Sequence, residues 1–226
     1  PFSAFLNFGS FTICSFSPER FIKLNNNTIT TSPIKGTIKR SDDPVTDNQL
    51  KEELSSSEKN IAENLMIVDV LRNDISRVSK KGSVVVTELA KIKSYKNVHH
   101  LVSTIKGLLS EKLDAIDLLF ATLPGGSITG APKIRAMEII SELEKNRRGV
   151  YCGAIGFISF SKDSDFNIPI RTLTIADDTI SINCGGGIVS DSNAESEYQE
   201  SIDKIENILK ENRKKIIKQS SNVNQK

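Results

Sequence analysis

The order in which extended and helical patterns follow one another constrains this chain most. Strand-like and helical runs come in blocks rather than in strict alternation. Regular β-α-β alternation builds parallel sheets, whereas neighbouring strands in a block pair antiparallel, so the expected class is α+β. Residues 2–15 alternate and are rich in Phe, Ile and Cys, which predicts two short strands around Asn7-Phe8-Gly9. Residues 27–31 predict a further strand running into Pro33, and polar residues 39–46, with Asp42-Asp43-Pro44, a loop. Leu50, Leu54, Ile61, Leu65 and Val68 mostly keep helical spacing and predict one long helix from Asp47 to Leu71.

Further along, Val84–Val86 predicts a short strand opened by Gly82. Helices are expected over Val98–Leu109, over Ala115–Ala121, and from Pro132 to Lys145, with a turn at Gly125-Gly126. Strands follow at 150–160, 168–176 and 179–184, the last two joined by the hairpin signal Asp177-Asp178. Gly185-Gly186-Gly187 interrupts the pattern, and a final helix is expected from Ala194 to Leu209.

A chain of 226 residues can bury one large core or two small ones. We expect one domain over 1–211 and a disordered basic tail over 212–226, where Arg213, Lys214, Lys215, Lys218 and Lys226 hold much of the basic excess. Elsewhere no basic patch is interleaved with aromatic residues, which argues against a nucleic-acid partner. No apolar run approaches the roughly 18 residues of a membrane span. Residues 1–16 lack the basic start of a signal peptide. The three cysteines, Cys14, Cys152 and Cys184, form no CxxC pair, which disfavours a zinc or thioredoxin-type site and suits a reducing compartment. The chain starts at Pro1 in mid-strand pattern, so an upstream portion is expected.

Several residues stand out chemically. Lys35 lies in Pro33-Ile34-Lys35-Gly36-Thr37, between a residue that stiffens the backbone and one that lets it turn. A lysine so directed, if also stripped of water, becomes a nucleophile. Otherwise it is a solvated turn residue. Glu197 and Glu200 share one face of the final helix, with Lys204 on the same stripe. With Glu63 from the long helix they offer oxygen ligands that suit Mg²⁺, unless they are plain solvated charges. Gly125–Lys133 is a glycine-rich turn leading into a helix, a candidate anion site. It is not a P-loop, because Ala131 and Pro132 follow Gly130 where Lys and Ser or Thr are required. Arg171, between apolar neighbours, calls for an anionic partner. Of His99 and His100 one is expected to face inward. Glu19 follows a strand and is a candidate general acid.

Taken in order, Ser17–Phe21, Pro33–Thr37, Ala62–Asp69 with Arg72-Asn73-Asp74, His99–Ser103, Gly125–Lys133, Ile170–Thr172, Gly185–Gly187 and Glu197–Lys204 resemble the chorismate-utilising enzymes across nearly the whole chain. The resemblance implies two packed antiparallel β-sheets flanked by outer helices. It implies chorismate as substrate and Mg²⁺ as cofactor, held by Glu63 and Glu200 with Glu197 nearby. By the same resemblance Arg171 and Tyr151 hold the pyruvyl carboxylate, and Gly185, Gly186 and Gly187 supply backbone N–H groups. Ser127, Lys204 and His100 match substrate contacts. Lys35 marks the members that form 4-amino-4-deoxychorismate on the para-aminobenzoate and folate route. There the lysine attacks ring C2, Glu19 protonates the departing C4 hydroxyl, and ammonia from a glutamine amidotransferase partner then enters at C4. The alternatives are an anthranilate- or isochorismate-forming enzyme, or a non-catalytic anion-binding module. Asn60 departs from the acid that relatives often carry there, which would weaken an outer metal shell. The implied location is the cytoplasm, with a plastid or other organelle left open, and family subunits are longer than this chain.

Overall fold

The computed structural model describes residues 2–190, 192–206 and 208, so the expected tail over 212–226 and the end of the last helix at Leu209 lie outside the described residues. Two antiparallel sheets are present. The first has four strands in the order β1 (Ala4–Asn7), β2 (Phe11–Ser15), β10 (Thr172–Ala176), β11 (Thr179–Ile182). The second runs β5 (Ile34–Lys39), β7 (Val98–Leu108), β4 (Thr28–Thr31), β3 (Arg20–Asn25), β9 (Ser164–Asn167), β8 (Ile155–Ile158), with β6 (Val85–Ser94) also paired to β7. The helices are α1 (Pro44–Ser56), α2 (Glu58–Ser76), α3 (Ala115–Thr122), α4 (Lys133–Leu143) and α5 (residues 194–206). The α+β class and the antiparallel pairing therefore stand. Among the described residues no helix is long and apolar enough to cross a membrane.

The chain passes between the sheets at two corners, residues 16–19 and 168–171, which lie side by side. Ser17 Oγ donates to Ile168 O at 2.6 Å, Ile168 N to Glu19 O at 3.2 Å, and Phe16 N to Arg171 O at 3.1 Å. These bonds satisfy backbone groups that neither sheet can pair. The core sits between the second sheet and α2, where Ile22, Ile29, Ile67, Leu71, Ile75 and Ile105 are all buried.

Three expectations from sequence are corrected. The helix expected at Val98–Leu109 is the strand β7, the centre of the larger sheet. Its residues from His99 to Ile105 are mostly buried on both faces, which erases the alternation that marks a half-exposed strand. The single long helix is two helices, broken where Ser57 leaves helical geometry and its hydroxyl accepts from Asn60 N. Serine satisfies a free helix N–H better than it sits inside a helix. The strand expected at 150–160 is confined to Ile155–Ile158 and is followed by β9.

His99 is the inward-facing member of its pair. Its Nδ1 and Ser94 Oγ share a bond of 2.8 Å, and its Nε2 and Asp47 Oδ1 one of 2.9 Å. Asp47 also receives Arg40 Nη2 at 2.8 Å. The set has the composition of a hydrolytic triad, but the His99 side chain is 0 % exposed and no substrate can reach it. It ties α1 to β6 and β7 instead. The Arg40 guanidinium holds the Asp47 carboxyl well below the usual carboxylate range.

Gly156 shows how tightly the β8–β9 pair is closed. A Cβ there would lie 2.1 Å from Asp165 O and 2.5 Å from Phe166 Cδ1. Gly156→Ala should therefore force the strands apart and cost about 1–3 kcal/mol, the usual range for overpacking. Urea unfolding of the two proteins measures it, and an unchanged midpoint would contradict this packing.

Candidate functional site

Glu19 stands at the corner between the sheets and is only 8 % exposed. Burial pushes its carboxyl up to about 7, while the Lys35 charge, the Ser127 hydroxyl and the backbone N–H of Ile34 pull the other way. A buried carboxyl that half-titrates near neutrality exchanges protons with its neighbours at working pH.

Lys35 comes from β5, where pairing with β7 shifts register between Ile34 and Thr37. Such a bulge re-aims a side chain out of the ladder. Gly36 completes it with φ +83°, and a Cβ on Gly36 would lie 2.9 Å from Asn60 Cγ and 3.0 Å from Leu54 Cδ1. Only glycine suits both the torsion and the contact. The bulge is thus seated directly on α2, and Asn60 serves as its steric floor. Lys35 Nζ donates to Ser127 O at 3.4 Å. Ser127 therefore touches both ionisable groups, through its carbonyl to Lys35 and through its hydroxyl to Glu19.

The residues 185–187 form the opposite wall. A Cβ on Gly187 would stand 4.0 Å from Lys35 Nζ, one on Gly185 3.3 Å from the Tyr151 hydroxyl, and one on Gly186 3.0 Å from Glu197 Oε2 and 3.7 Å from Glu200 Oε1. Lys204 Nζ donates to Gly185 O at 3.1 Å and pairs with Glu200 at 2.6 Å. Glu197 accepts from Ser192 Oγ at 2.6 Å. The bare backbone of the glycine run thus meets Lys35, Tyr151, Glu197, Glu200 and Lys204 in three consecutive residues. Burial pushes the Tyr151 phenol above its ordinary range.

On a further side His100 Nδ1 shares a bond of 2.8 Å with Thr37 Oγ1. Burial and then the nearby Arg171 charge lower the His100 pKa, so Arg171 and His100 are neighbours. Arg171 is not inside a strand. It precedes β10 at the corner, is exposed, and has φ +52°. It takes part in no ion pair among the described residues, so its fork is open to an anion.

Glu197 and Glu200 converge on the space above Gly186 and supply hard oxygen donors. Mg²⁺ is commonly held by one or two carboxylates with the remaining ligands from water and substrate, so this pair fits it. Among the described residues no group of three or more His, Cys, Asp or Glu is close enough to hold a metal ion, so Glu63 is not gathered with them. Glu63 lies half-buried on α2, one helical turn beyond Asn60.

Sequence reasoning passed over Asp74 and Lys133 as a pair. Lys133 Nζ meets Asp74 Oδ2 at 2.8 Å, with side-chain exposures of 17 % and 3 %. The signal was available: Asp74 falls on the same stripe of α2 as buried Leu71 and Ile75, where a carboxylate requires a cation.

The chorismate binding enzyme family model matches residues 1–210. Aminodeoxychorismate synthase component 1 of Salmonella typhimurium is 56 % identical over 209 residues, covering 92 % of this chain and 46 % of that protein. The chloroplastic aminodeoxychorismate synthase of Arabidopsis thaliana is 50 % identical over 205 residues, covering 89 % and 22 % respectively. The crystal structure of anthranilate synthase component I from Streptococcus pneumoniae TIGR4 superposes with a TM-score of 0.82 at 44 % identity, covering 89 % of this chain and 44 % of that one. The chain thus spans about half the length of the bacterial relative it matches.

Glu19 gives a direct check. Its titration, read by carboxyl ¹³C NMR in the natural full-length protein, should centre near 7. It should move higher in Lys35→Met, because the lysine charge lowers it. Between the unfolded value near 4.5 and about 7 the native state holds the extra proton. Stability from this group is therefore complete below 4.5 and falls as pH rises toward 7, by up to about 3 kcal/mol. Glu19→Gln should flatten that slope.

Proposed function

Because the chain belongs to the chorismate-binding enzyme family, we propose that it carries the catalytic site of an enzyme that aminates chorismate to 4-amino-4-deoxychorismate. The observation that supports this reading most is a buried carboxyl and a lysine amine joined through one serine, in a family whose substrate offers both an electrophilic ring and a hydroxyl to be expelled. Glu19 takes a proton from the Lys35 ammonium. The freed lone pair forms the Nζ–C2 bond, both conjugated ring double bonds shift (C1=C2 to C1=C6 and C5=C6 to C4=C5), and the C4–O bond breaks as Glu19 returns its proton to the hydroxyl, which leaves as water. Ammonia then forms the C4–N bond, both double bonds shift back, and the C2–Nζ bond breaks to release the lysine amine. Two displacements replace one difficult substitution.

Arg171 and Tyr151 are the groups for the pyruvyl carboxylate, with the 185–187 backbone beside them. Glu197 and Glu200 would hold Mg²⁺, which when bound neutralises and orients the ring carboxylate. Ammonia would come from a glutamine amidotransferase partner, and "component 1" in the name of the Salmonella relative fits a two-part enzyme. The likeness to an anthranilate synthase supports the second reading, amination at a different ring position. Lys35 separates the two, because the covalent route needs an amine there.

Lys35→Ala in the natural full-length protein, supplied with chorismate, Mg²⁺ and ammonium chloride, should lose aminodeoxychorismate formation by a factor of 10² or more, the scale typical of removing a covalent catalyst. Intact-protein mass spectrometry of the wild type should trap a chorismate-derived adduct on Lys35. Retained product in the variant would remove the lysine from the mechanism, and anthranilate as the product would favour the second reading. Turnover should also decline as pH falls through about 7, where Glu19 is already protonated and can no longer accept the Lys35 proton.

A further inference from the structure

We infer that the buried Asp74–Lys133 ion pair is the positioning device of this site, fixing the 125–130 loop so that Ser127 reaches both Lys35 and Glu19. The inference rests on the amination reading only for its kinetic consequence.

The loop is strung between the end of α3 and the start of α4. Lys133, the first residue of α4, donates to Asp74 of α2 at 2.8 Å and to Thr122 O, at the end of α3, at 2.8 Å. One ammonium thus pins both ends of the loop to α2. In between, Gly126 lies so close to α2 that a Cβ on it would stand 2.6 Å from Val70 Cγ1. Val70 and Asp74 are four apart and share one helical face. Arg148 Nη1 donates to Ile128 O at 3.0 Å from the far side.

Packing does not explain the pair. None of the residues of α4 is buried, and Ile134, Met137 and Leu143 are exposed. The helix start is therefore held by its charge contact rather than by an apolar face. Buried ion pairs rarely stabilise more than apolar groups of the same size, so their value lies in fixing one arrangement. The arrangement fixed here is catalytic. The same helix α2 seats the Lys35 bulge through Asn60 against Gly36 and seats the loop through Val70 and Asp74. It spans the 14 residues between Asn60 and Asp74 as a rigid rod of about 21 Å. Both halves of the site are registered on one ruler.

The test uses the natural full-length protein with ammonium chloride as nitrogen source. The paired change Asp74→Leu/Lys133→Met replaces the ion pair with apolar side chains of similar size and should keep the fold. Its kcat should fall tenfold or more while KM for chorismate changes less than threefold. The ¹³C titration of Glu19 should move to higher pH, because the Ser127 hydroxyl no longer favours the carboxylate. The charged groups facing Glu19 are otherwise unchanged, with Lys35 still in place on β5. Lys133→Arg keeps the charge and should restore both readouts in large part. A folded paired variant with an unmoved Glu19 titration and unchanged kcat overturns the inference. Should the paired variant fail to fold, Asp74→Asn is read by the same two measurements. If the wild type does not aminate chorismate, the proposed function falls alone, because the Glu19 titration still reports the position of Ser127.

Discussion

A carboxyl buried beside a lysine amine is the constraint around which this structure is arranged. Burying Glu19 in isolation would simply keep it neutral. Beside the half-buried Lys35, with Ser127 touching both, its carboxylate gains a counter-charge and a hydrogen-bond donor that oppose the burial. Such a set works only if no member drifts. The fold supplies the rigidity from three directions: the stitched corners 16–19 and 168–171 under Glu19, the bulge of β5 under Lys35, and the strap 125–133 under Ser127. Each direction is a place where regular pairing stops, which is where a backbone can aim a side chain out of a sheet.

Much of the frame was legible because its signals are local. The alternation around Asn7-Phe8-Gly9 became β1 and β2, Asp177-Asp178 became the β10–β11 hairpin, and the helices near 115 and 133 fell where expected. β7 was not legible. A central strand buried on both faces loses the apolar–polar alternation that marks a half-exposed strand, and only its partners β4, β5 and β6 reveal that it is extended. The break at Ser57 was readable in principle, since Ser55-Ser56-Ser57 offers cap residues inside an apparent helix, but spacing across it stays near helical and hid the change of axis.

The site follows the same division. Lys35, Glu19, Ser127, Tyr151, the 185–187 run, Glu197, Glu200 and Lys204 are brought into one neighbourhood, from segments nearly 190 residues apart in sequence. Their types could be picked out because glycine runs, a directed lysine and helix carboxylates carry local marks. Their convergence could not, because it depends on the order of strands in the two sheets. Arg171 shows the limit well: its apolar neighbours suggested a strand interior, whereas it turns the corner in a left-handed conformation that exposes the guanidinium. Glu63 is the reverse case. Its helical face is as expected, yet it is not clustered with Glu197 and Glu200.

Magnitudes explain why the acid is at a sheet corner rather than on a loop. At pH 7 a carboxyl with the ordinary value near 4.5 is protonated only about 0.3 % of the time, and is too weak an acceptor to take the lysine proton that it must pass to the departing hydroxyl. At about 7 it is protonated half the time, a net gain of roughly 160-fold. More burial would not improve matters, because an acid that never ionises cannot accept the proton from the neighbouring amine. The Lys35 charge and the Ser127 hydroxyl oppose the burial and stop the rise near the midpoint. A flexible loop offers neither the desolvation nor the fixed opposing groups. The crossing between two sheets offers both, since its backbone is already satisfied by cross-corner hydrogen bonds and its side chain has nowhere to go but inward.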